Sequence, residues 1–364
     1  LRGMENTVDI FERIRSGDII LHHPYDSFSP VLAFLQVAAS DPDVLAIKQT
    51  LYRVGNDSPV IKALLTAAQA GKQVAVLVEL KARFDEESNI GWARALEQAG
   101  AHVIYGMEGL KTHCKIALVV RREGDAIRRY LHLATGNYNS VTANTYEDIG
   151  LFTCNEDLAA DASDLFNYLT GYSKMNEYRE LLVAPLNLRQ QLDALIHAEI
   201  EHARAGRNGY IAVKVNALSD PETIKLLYEA SNAGVKIDLI VRGMCCLVPG
   251  VPGMSSNIRV VSILGRYLEH SRIFHFANGG EARLYLGSAD LMTRSLDHRV
   301  ETLFPVTEPA HIRYLRDEVL ETCLRDNDSA RDMTRDGEYL RLEPADDQPR
   351  INLQKSLVQI RQIF

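Results

Sequence analysis

Two short segments of the sequence each carry a histidine two residues before a cation. The first is KTHCKIALVV, with His113 and Lys115, and the second is YLEHSRIFHF, with His270 and Arg272. A neutral imidazole is a nucleophile, and an adjacent cation lowers its pKa and holds a phosphoryl oxygen. Residues i and i+2 of a strand share one face, so the spacing predicts that each cation projects beside its histidine. The two copies therefore predict phosphoryl transfer through a phosphohistidine.

A polar turn that contains glycine and ends in a carboxylate follows each copy. The two turns are GNYNSVTANTYED (136–148) and GSADLMTRSLDHRVE (287–301). A nucleophilic imidazole needs an acceptor, usually a carboxylate, at its far nitrogen. We expect one bipartite site in which each histidine takes its carboxylate from the opposite half, Glu301 for His113 and Asp148 for His270. An isolated histidine is more often structural, and the chain has 11 of them, but the matched contexts favour function.

The elements around these segments also occur twice, in the same order. Each copy begins with an apolar strand, continues through a helix that opens at proline and closes at glycine, and enters a second buried strand. A loop, a short strand and the histidine strand follow. The strand segments are VLAIKQTLYRV (44–54), QVAVLVEL (73–80) and AHVIYG (101–106) in the first copy, and YIAVKVNAL (210–218), VKIDLIV (235–241) and IRVVSI (258–263) in the second. The pattern predicts two α/β domains related by internal duplication, with mostly parallel mixed sheets flanked by helices.

The length of 364 residues also favours two domains, which we place at residues 1–180 and 181–364. Helical periodicity marks the stretch between the two copies and a segment after the second. The tail from Asp326 is rich in Asp, Arg and Pro and is expected to be extended and partly ordered.

Composition excludes several classes of protein. The net charge of −8 disfavours nucleic acid and anionic lipid as partners. No apolar run is long enough to cross a bilayer, and the first residues lack a signal-peptide layout, so a cytoplasmic location is expected. The 5 cysteines have no paired spacing, which favours structural thiols in a reducing compartment.

The duplicated histidine motif resembles that of the phospholipase D superfamily, in which HxK is followed by four residues and an aspartate. The aspartate is missing from both copies, because Val120 and Ala277 stand at those positions. This difference disfavours a phosphodiesterase and favours another activity of the same fold.

Longer motifs closely resemble bacterial polyphosphate kinase across essentially the whole chain. They are DIILHHPYDSF (18–28), IKQTLYRVGNDSPV (47–60), VELKARFDEESNI (78–90), GLKTHCK (109–115), LATGNYN (133–139), TYEDIGLFT (145–153), VRGMCCLVPGVPGMSSNI (241–258), GRYLEHSRIFHF (265–276) and GSADLMTRSLDHRVE (287–301). The resemblance implies the two C-terminal catalytic domains of an ATP:polyphosphate phosphotransferase that works reversibly. The family enzymes also have an N-terminal domain and a head domain, which are not in this sequence.

The resemblance also implies roles for single residues. His113 matches the phosphorylated nucleophile and His270 the second essential histidine, while Tyr146 and Arg242 match nucleotide-contacting positions. The positions associated with Mg²⁺ are Arg53 and Arg83. A guanidinium has no lone pair to donate, so we expect both arginines to hold phosphate oxygens that the metal also bridges.

The expected reaction starts with attack of His113 on the γ-phosphorus of ATP, and a polyphosphate end then takes the phosphoryl group. Lys115, Arg272 and the other arginines stabilise the transition state, and His270 acts as acid or base. For Asn137, a phosphate contact and a purely structural turn are equally favoured. The family resemblance also implies a homo-oligomer. Two alternatives stay open: a phospholipase-D-like phosphodiesterase, and a fragment that binds polyphosphate or nucleotide without turnover.

Overall fold

A computed structural model describes residues 9–55, 57–80, 86–107, 109–171, 177–345 and 347–363. The chain divides into two compact units. The first comprises the described part of Leu1–Val183 together with His298–Thr302, and the second comprises Ala184–Asp297 and Leu303–Phe364. The segment His298–Thr302 thus groups with the first unit, although the sequence pattern places it in the second domain.

The first unit contains five helices and a mixed sheet among its described residues. The helices are α1 (Ile10–Arg15), α2 (Ser29–Ser40), α3 (Pro59–Gln69), α4 (Glu86–Gln98) and α5 (Glu156–Leu169). The strands are β1 (Ile19–His23), β2 (Val44–Leu51), β3 (Gln73–Val78), β4 (His102–Ile104), β5 (Lys111–Thr112), β6 (Lys115–Glu123), β7 (Ala126–Ala134) and β8 (Tyr146–Thr153), with β9 (Leu182–Ala184) at the division between the units.

The sheet of the first unit has the strand order β1-β8-β7-β6-β2-β3-β4. Parallel pairing joins β2, β3 and β4, whereas β1/β8, β8/β7, β7/β6 and β6/β2 are antiparallel. The prediction of an α/β fold with mixed sheets is confirmed, but parallel pairing is less frequent than predicted. The reason is local: β6 and β7 form a hairpin around Gly124, and strands joined by a short turn can pair only antiparallel.

The helices of the two copies begin and end where the sequence predicts. The Ser58 hydroxyl accepts a hydrogen bond from the Ile61 amide at the start of α3, and the Asp220 carboxylate accepts one from the Thr223 amide in the second unit. A glycine with positive φ follows each helix; these are Gly71 (+79°) and Gly234 (+96°). Apolar residues of α2 and α3 pack on the sheet, where Phe34 and Leu64 are fully buried.

The second unit repeats this arrangement. Its helices are α6 (Leu188–Arg204), α7 (Pro221–Asn232), α8 (Thr293–Asp297), α9 (Pro309–Arg313), α10 (Glu321–Arg325) and α11 (Leu353–Ile363), with a π-helical segment at Tyr314–Leu320. Its strands are β10 (Tyr210–Val215), β11 (Lys236–Val241), β12 (Ile258–Ile263), β13 (Leu268–Glu269), β14 (Ile273–Phe276), β15 (Arg283–Gly287), β17 (Ala330–Met333) and β18 (Tyr339–Arg341). Strand β16 (Arg299–Pro305) is divided, because its residues up to Thr302 group with the first unit. The order is β18-β17-β12-β11-β10-β14-β15-β16, and parallel pairing joins β10, β11 and β12.

The tail from Asp326 was predicted to be extended and partly ordered; β17 and β18 agree with this, whereas the helix α11 was not predicted. Asp326 is fully buried, and its carboxylate accepts hydrogen bonds from the amides of Ser329, Ala330 and Leu353. One carboxylate therefore anchors both the strand and the helix of the tail, which composition does not reveal. Among the described residues, no helix combines the length and the apolar character needed to cross a membrane.

Candidate active site

His113 lies in a two-residue break between β5 and β6, not within a continuous strand. The amides of His113 and Cys114 both donate to the Val300 carbonyl, at 2.8 and 3.0 Å. Because one carbonyl accepts from two successive residues, the regular strand ladder is interrupted here. The i/i+2 strand geometry predicted for His113 and Lys115 is therefore wrong, because His113 lies between two strands.

The carboxylate of Glu301 orients the imidazole of His113. Nδ1 of His113 lies 2.8 Å from Oε2 of Glu301, whose side chain is fully buried, while 11% of the His113 side chain is exposed. Donation from Nδ1–H to the carboxylate puts the imidazole lone pair on Nε2. The structure thus brings together the two residues that the sequence pairs on chemical grounds.

Tyr52 was missed by the sequence reasoning and packs directly against His113. The two rings are 4.9 Å apart between centroids and meet at 89°, an edge-to-face arrangement. Lys115 Nζ lies 5.3 Å from the centroid of the Tyr52 ring, and Arg53 Cζ lies 5.6 Å from it. The sequence did offer one sign of Tyr52, because this residue directly precedes Arg53 in the motif at residues 47–60.

Lys115 is buried at the start of β6, and its ammonium group donates to the carbonyl oxygen of His113. The cation therefore stays beside His113, although not by the strand geometry predicted. Burial raises the pKa of the intervening Cys114 thiol to about 12, so this thiol stays protonated. All 5 cysteines are free thiols.

Three further predicted residues lie on or before β8. Asp148 is buried opposite His23 of β1 and accepts a hydrogen bond from Thr135 Oγ1 at 2.7 Å. Asn137 lies in the turn after β7, where it lines a small cavity together with Asp148. Tyr146 opens β8 and is half-buried. The pairing of Asp148 with His270 stays a prediction, since these residues belong to different units.

The second copy has the same local design. His270 lies between β13 and β14, and Arg272 Nη1 donates to its carbonyl oxygen at 2.8 Å, as Lys115 does to His113. The Arg272 guanidinium also binds Asp290 through two hydrogen bonds, of 3.2 and 3.1 Å. This paired contact holds the guanidinium in one orientation.

Asn216, at the end of β10, connects Arg242 to this second histidine. Arg242 donates to Asn216 Oδ1 at 2.9 and 2.8 Å, while Asn216 Nδ2 donates to the His270 carbonyl at 3.1 Å. The backbone N–H of Asn216 also donates to the Asp290 carboxylate at 2.8 Å. Neither Asn216 nor Asp290 was predicted as a site residue, although both lie in the repeated segments.

A direct Mg²⁺ site would need several carboxylate or carbonyl oxygens that converge on one point. Among the described ranges, no group of three or more His, Cys, Asp or Glu side chains is arranged to bind a metal ion. Arg53, half-buried after β2, offers no lone pair, and Arg83 lies outside the described residues. The described side chains therefore offer no donor set for a protein-held Mg²⁺.

The structure defines an α/β protein in which mixed sheets are flanked by helices. A crystal structure of phosphatidylserine synthase from Haemophilus influenzae is similar in fold alone, with a TM-score of 0.57 at 10% identity over 98% of this chain and 97% of that one. The family models for polyphosphate kinase C-terminal domain 1 and domain 2 match residues 9–175 and 181–354. The chain belongs to the polyphosphate kinase family.

Individual relatives agree with this assignment. Polyphosphate kinase 1 of Chlorobaculum tepidum is 59% identical over 97% of this chain and 50% of its own length, and polyphosphate kinase of Streptomyces coelicolor is 56% identical over 97% and 48%. The crystal structure of polyphosphate kinase from Porphyromonas gingivalis superposes with a TM-score of 0.92 at 40% identity, over 99% of this chain and 55% of that one. The chain spans about half the length of the curated relatives it matches.

Proposed function

We propose that the chain is the catalytic region of an ATP:polyphosphate phosphotransferase, in which His113 carries the phosphoryl group. The observation that carries the proposal is the 2.8 Å contact between Nδ1 of His113 and the buried Glu301, in a chain of the polyphosphate kinase family. A buried carboxylate at Nδ1 supports nucleophilic attack through Nε2 and stabilises the positive charge that the ring gains.

The first half-reaction forms a bond between Nε2 and the γ-phosphorus and breaks the bond to the bridging oxygen, which leaves with ADP. A terminal oxygen of polyphosphate then attacks the same phosphorus, and the N–P bond breaks. The Nδ1 proton stays in its hydrogen bond to Glu301 throughout. The second step regenerates the imidazole that the first step consumes, and both steps are proposed to be reversible.

Catalysis in this scheme comes from fixed positive charge. Phosphoryl transfer spreads negative charge over the equatorial oxygens, so positioned cations lower the barrier. Lys115 and Arg53 supply this charge around the Tyr52 ring. Arg272 and Arg242 are proposed to bind phosphates of the nucleotide or the polymer.

The other predicted residues have narrower roles. Tyr146 is proposed to stack on the adenine, and Asn137 is proposed to contact phosphate. His270, oriented by Asp148, is proposed to act as acid or base. Mg²⁺ is proposed to enter with ATP, where it neutralises phosphate charge. Arg83 is assigned to phosphate binding by family resemblance. A cytoplasmic location, homo-oligomer formation and the lack of a nucleic-acid partner stay predictions.

The test is incubation of the chain with γ-labelled ATP and Mg²⁺. We expect label on His113 that is acid-labile and alkali-stable, and its transfer to added polyphosphate. His113→Gln removes the label, while His102→Gln, at an exposed histidine of β4, retains it.

Other outcomes of this experiment favour the alternatives. Cleavage of a phosphodiester without labelling of the protein favours a phosphodiesterase. Binding of ATP without labelling or cleavage favours a fragment that needs further domains for turnover.

A further inference from the structure

The C-terminal helix α11 inserts one buried amide into the segment that precedes His270. Gln354 is only 5% exposed. Its Oε1 accepts from the Tyr267 amide at 3.0 Å, and its Nε2 donates to the Tyr267 carbonyl at 2.9 Å. The side chain thus pairs with the backbone of Tyr267 as the peptide group of a neighbouring strand would.

The same amide begins a buried polar connection that ends beside His270. Gln354 Nε2 lies 2.7 Å from Oε1 of Glu269, and Oε2 of Glu269 lies 3.0 Å from the Lys214 ammonium. Lys214 also donates to the Ser271 hydroxyl at 2.8 Å. Residues on both sides of His270 are therefore held through one connected set of contacts.

Because this connection is buried, each of its polar groups needs a hydrogen-bond partner within the protein. Both Lys214 and Glu269 have 3% exposed side chains, and a buried ion pair is stable only when hydrogen bonds satisfy its remaining donors and acceptors. Gln354 supplies such a donor to Glu269.

Docking of the helix does not by itself require Gln354. Leu353 and Leu357 of α11 are fully buried, so the helix already has an apolar contact face. A buried amide between such residues costs free energy unless its hydrogen bonds are made. The Gln354 side chain therefore stabilises residues 267–271 more than it stabilises the packing of α11.

We infer that Gln354 is a positioning residue for His270, through Tyr267, Glu269, Lys214 and Ser271. The inference rests on the proposed function only in that His270 takes part in phosphoryl transfer. Helix α11 then supports the segment that carries His270, although it contributes no group to the reaction.

The test compares Gln354→Leu with Gln359→Leu, the same change at an exposed position of the same helix. Hydrogen exchange, ring chemical shifts of His270 and steady-state kinetics are measured on the full chain. For Gln354→Leu we expect exchange of the Tyr267 amide to be about tenfold faster, the His270 ring shifts to change, and kcat to fall about tenfold with little change in KM. Gln359→Leu should match the parent chain in all three. Gln354→Met, which keeps the side-chain length, serves if the leucine variant does not fold.

Unchanged His270 ring shifts in Gln354→Leu would overturn the inference, even if the variant were less stable. A fall in kcat of equal size in Gln359→Leu would do the same. If the parent chain neither labels nor turns over, the proposed function fails. The ring shifts and the exchange rates still decide the role of Gln354, because neither needs activity.

Discussion

Oε2 of Glu301 lies 2.8 Å from Nδ1 of His113, although 188 residues separate them in the sequence. The carboxylate is fully buried, and the same segment binds the backbone of His113 and Cys114 through the Val300 carbonyl. One short segment, His298–Thr302, therefore binds both the backbone at the strand break and the imidazole ring of His113.

Replacement of this carboxylate should reduce labelling of His113. In Glu301→Gln the negative charge that stabilises the charged ring is lost, and the amide can favour the wrong tautomer. We expect the initial rate of labelling by γ-labelled ATP to fall on the order of 100-fold. Glu308→Gln, at an exposed position before α9, is the matched control and should label at the parent rate. Equal rates for the two variants would contradict an orienting role.

The aromatic ring of Tyr52, more than its hydroxyl, should matter for the same reaction. Its ring contacts His113 edge-to-face and lies near the cationic groups of Lys115 and Arg53. Tyr52→Phe keeps these contacts and should label within about twofold of the parent rate, whereas Tyr52→Leu should be slower by about tenfold. The measurement is the labelling rate at saturating ATP. A phenylalanine variant as slow as the leucine variant would assign the effect to the hydroxyl.

Gly136 should not tolerate a side chain. A Cβ atom there would lie 2.3 Å from Oδ2 of Asp148, so Asp148 or the turn must move. We expect Gly136→Ala to lower the free energy of unfolding by about 1–3 kcal/mol. Gly91→Ala is the opposite case, because nothing lies within 4 Å of a Cβ added at this position of α4. This variant should raise the free energy of unfolding by about 0.5–1 kcal/mol. Urea unfolding of both variants checks the two signs.

His275 should make stability depend on pH in the acid range. Its pKa is lowered to about 4, chiefly by burial and also by the charge of Arg316, while Asp317 opposes the shift. In the unfolded chain His275 binds a proton near its ordinary pKa of about 6.5. The contribution of His275 to the free energy of unfolding is therefore complete above that pH and is lost as the pH falls towards 4.

Over this interval His275 contributes a slope of about 1.4 kcal/mol per pH unit to the free energy of unfolding. His275→Phe removes that slope, while His102→Phe, at an exposed site, retains it. Urea unfolding between pH 4.5 and 7 tests this on the purified variants. Identical slopes in His275→Phe and the parent chain would show that His275 is not the group responsible.

Local signals in the sequence predicted the helices of the repeat closely. Ser58 and Asp220 cap α3 and α7, and a glycine with positive φ closes each one. Capping depends on a few consecutive residues, so it can be read without tertiary structure. Chemical need predicted Glu301 as the partner of His113, because a nucleophilic imidazole requires an acceptor.

Contacts between distant segments were not predictable in this way. The break at His113 depends on Val300, the support of His270 depends on Asn216, and the order in the tail depends on Asp326. Tyr52 fits an apolar strand pattern equally well whether or not its ring meets an imidazole. Periodicity reports which face of an element is apolar, and it does not report which side chain lies opposite.

By itself, the sequence determined the duplicated α/β elements, the family and the residue types for phosphoryl chemistry, since short-range rules and long motifs encode these. Only the tertiary structure decided that each histidine lies in a strand break and that its neighbouring cation binds its carbonyl. The physical reason is that buried hydrogen bonds are satisfied by whichever groups the fold brings within about 3 Å, however far apart they are in the chain.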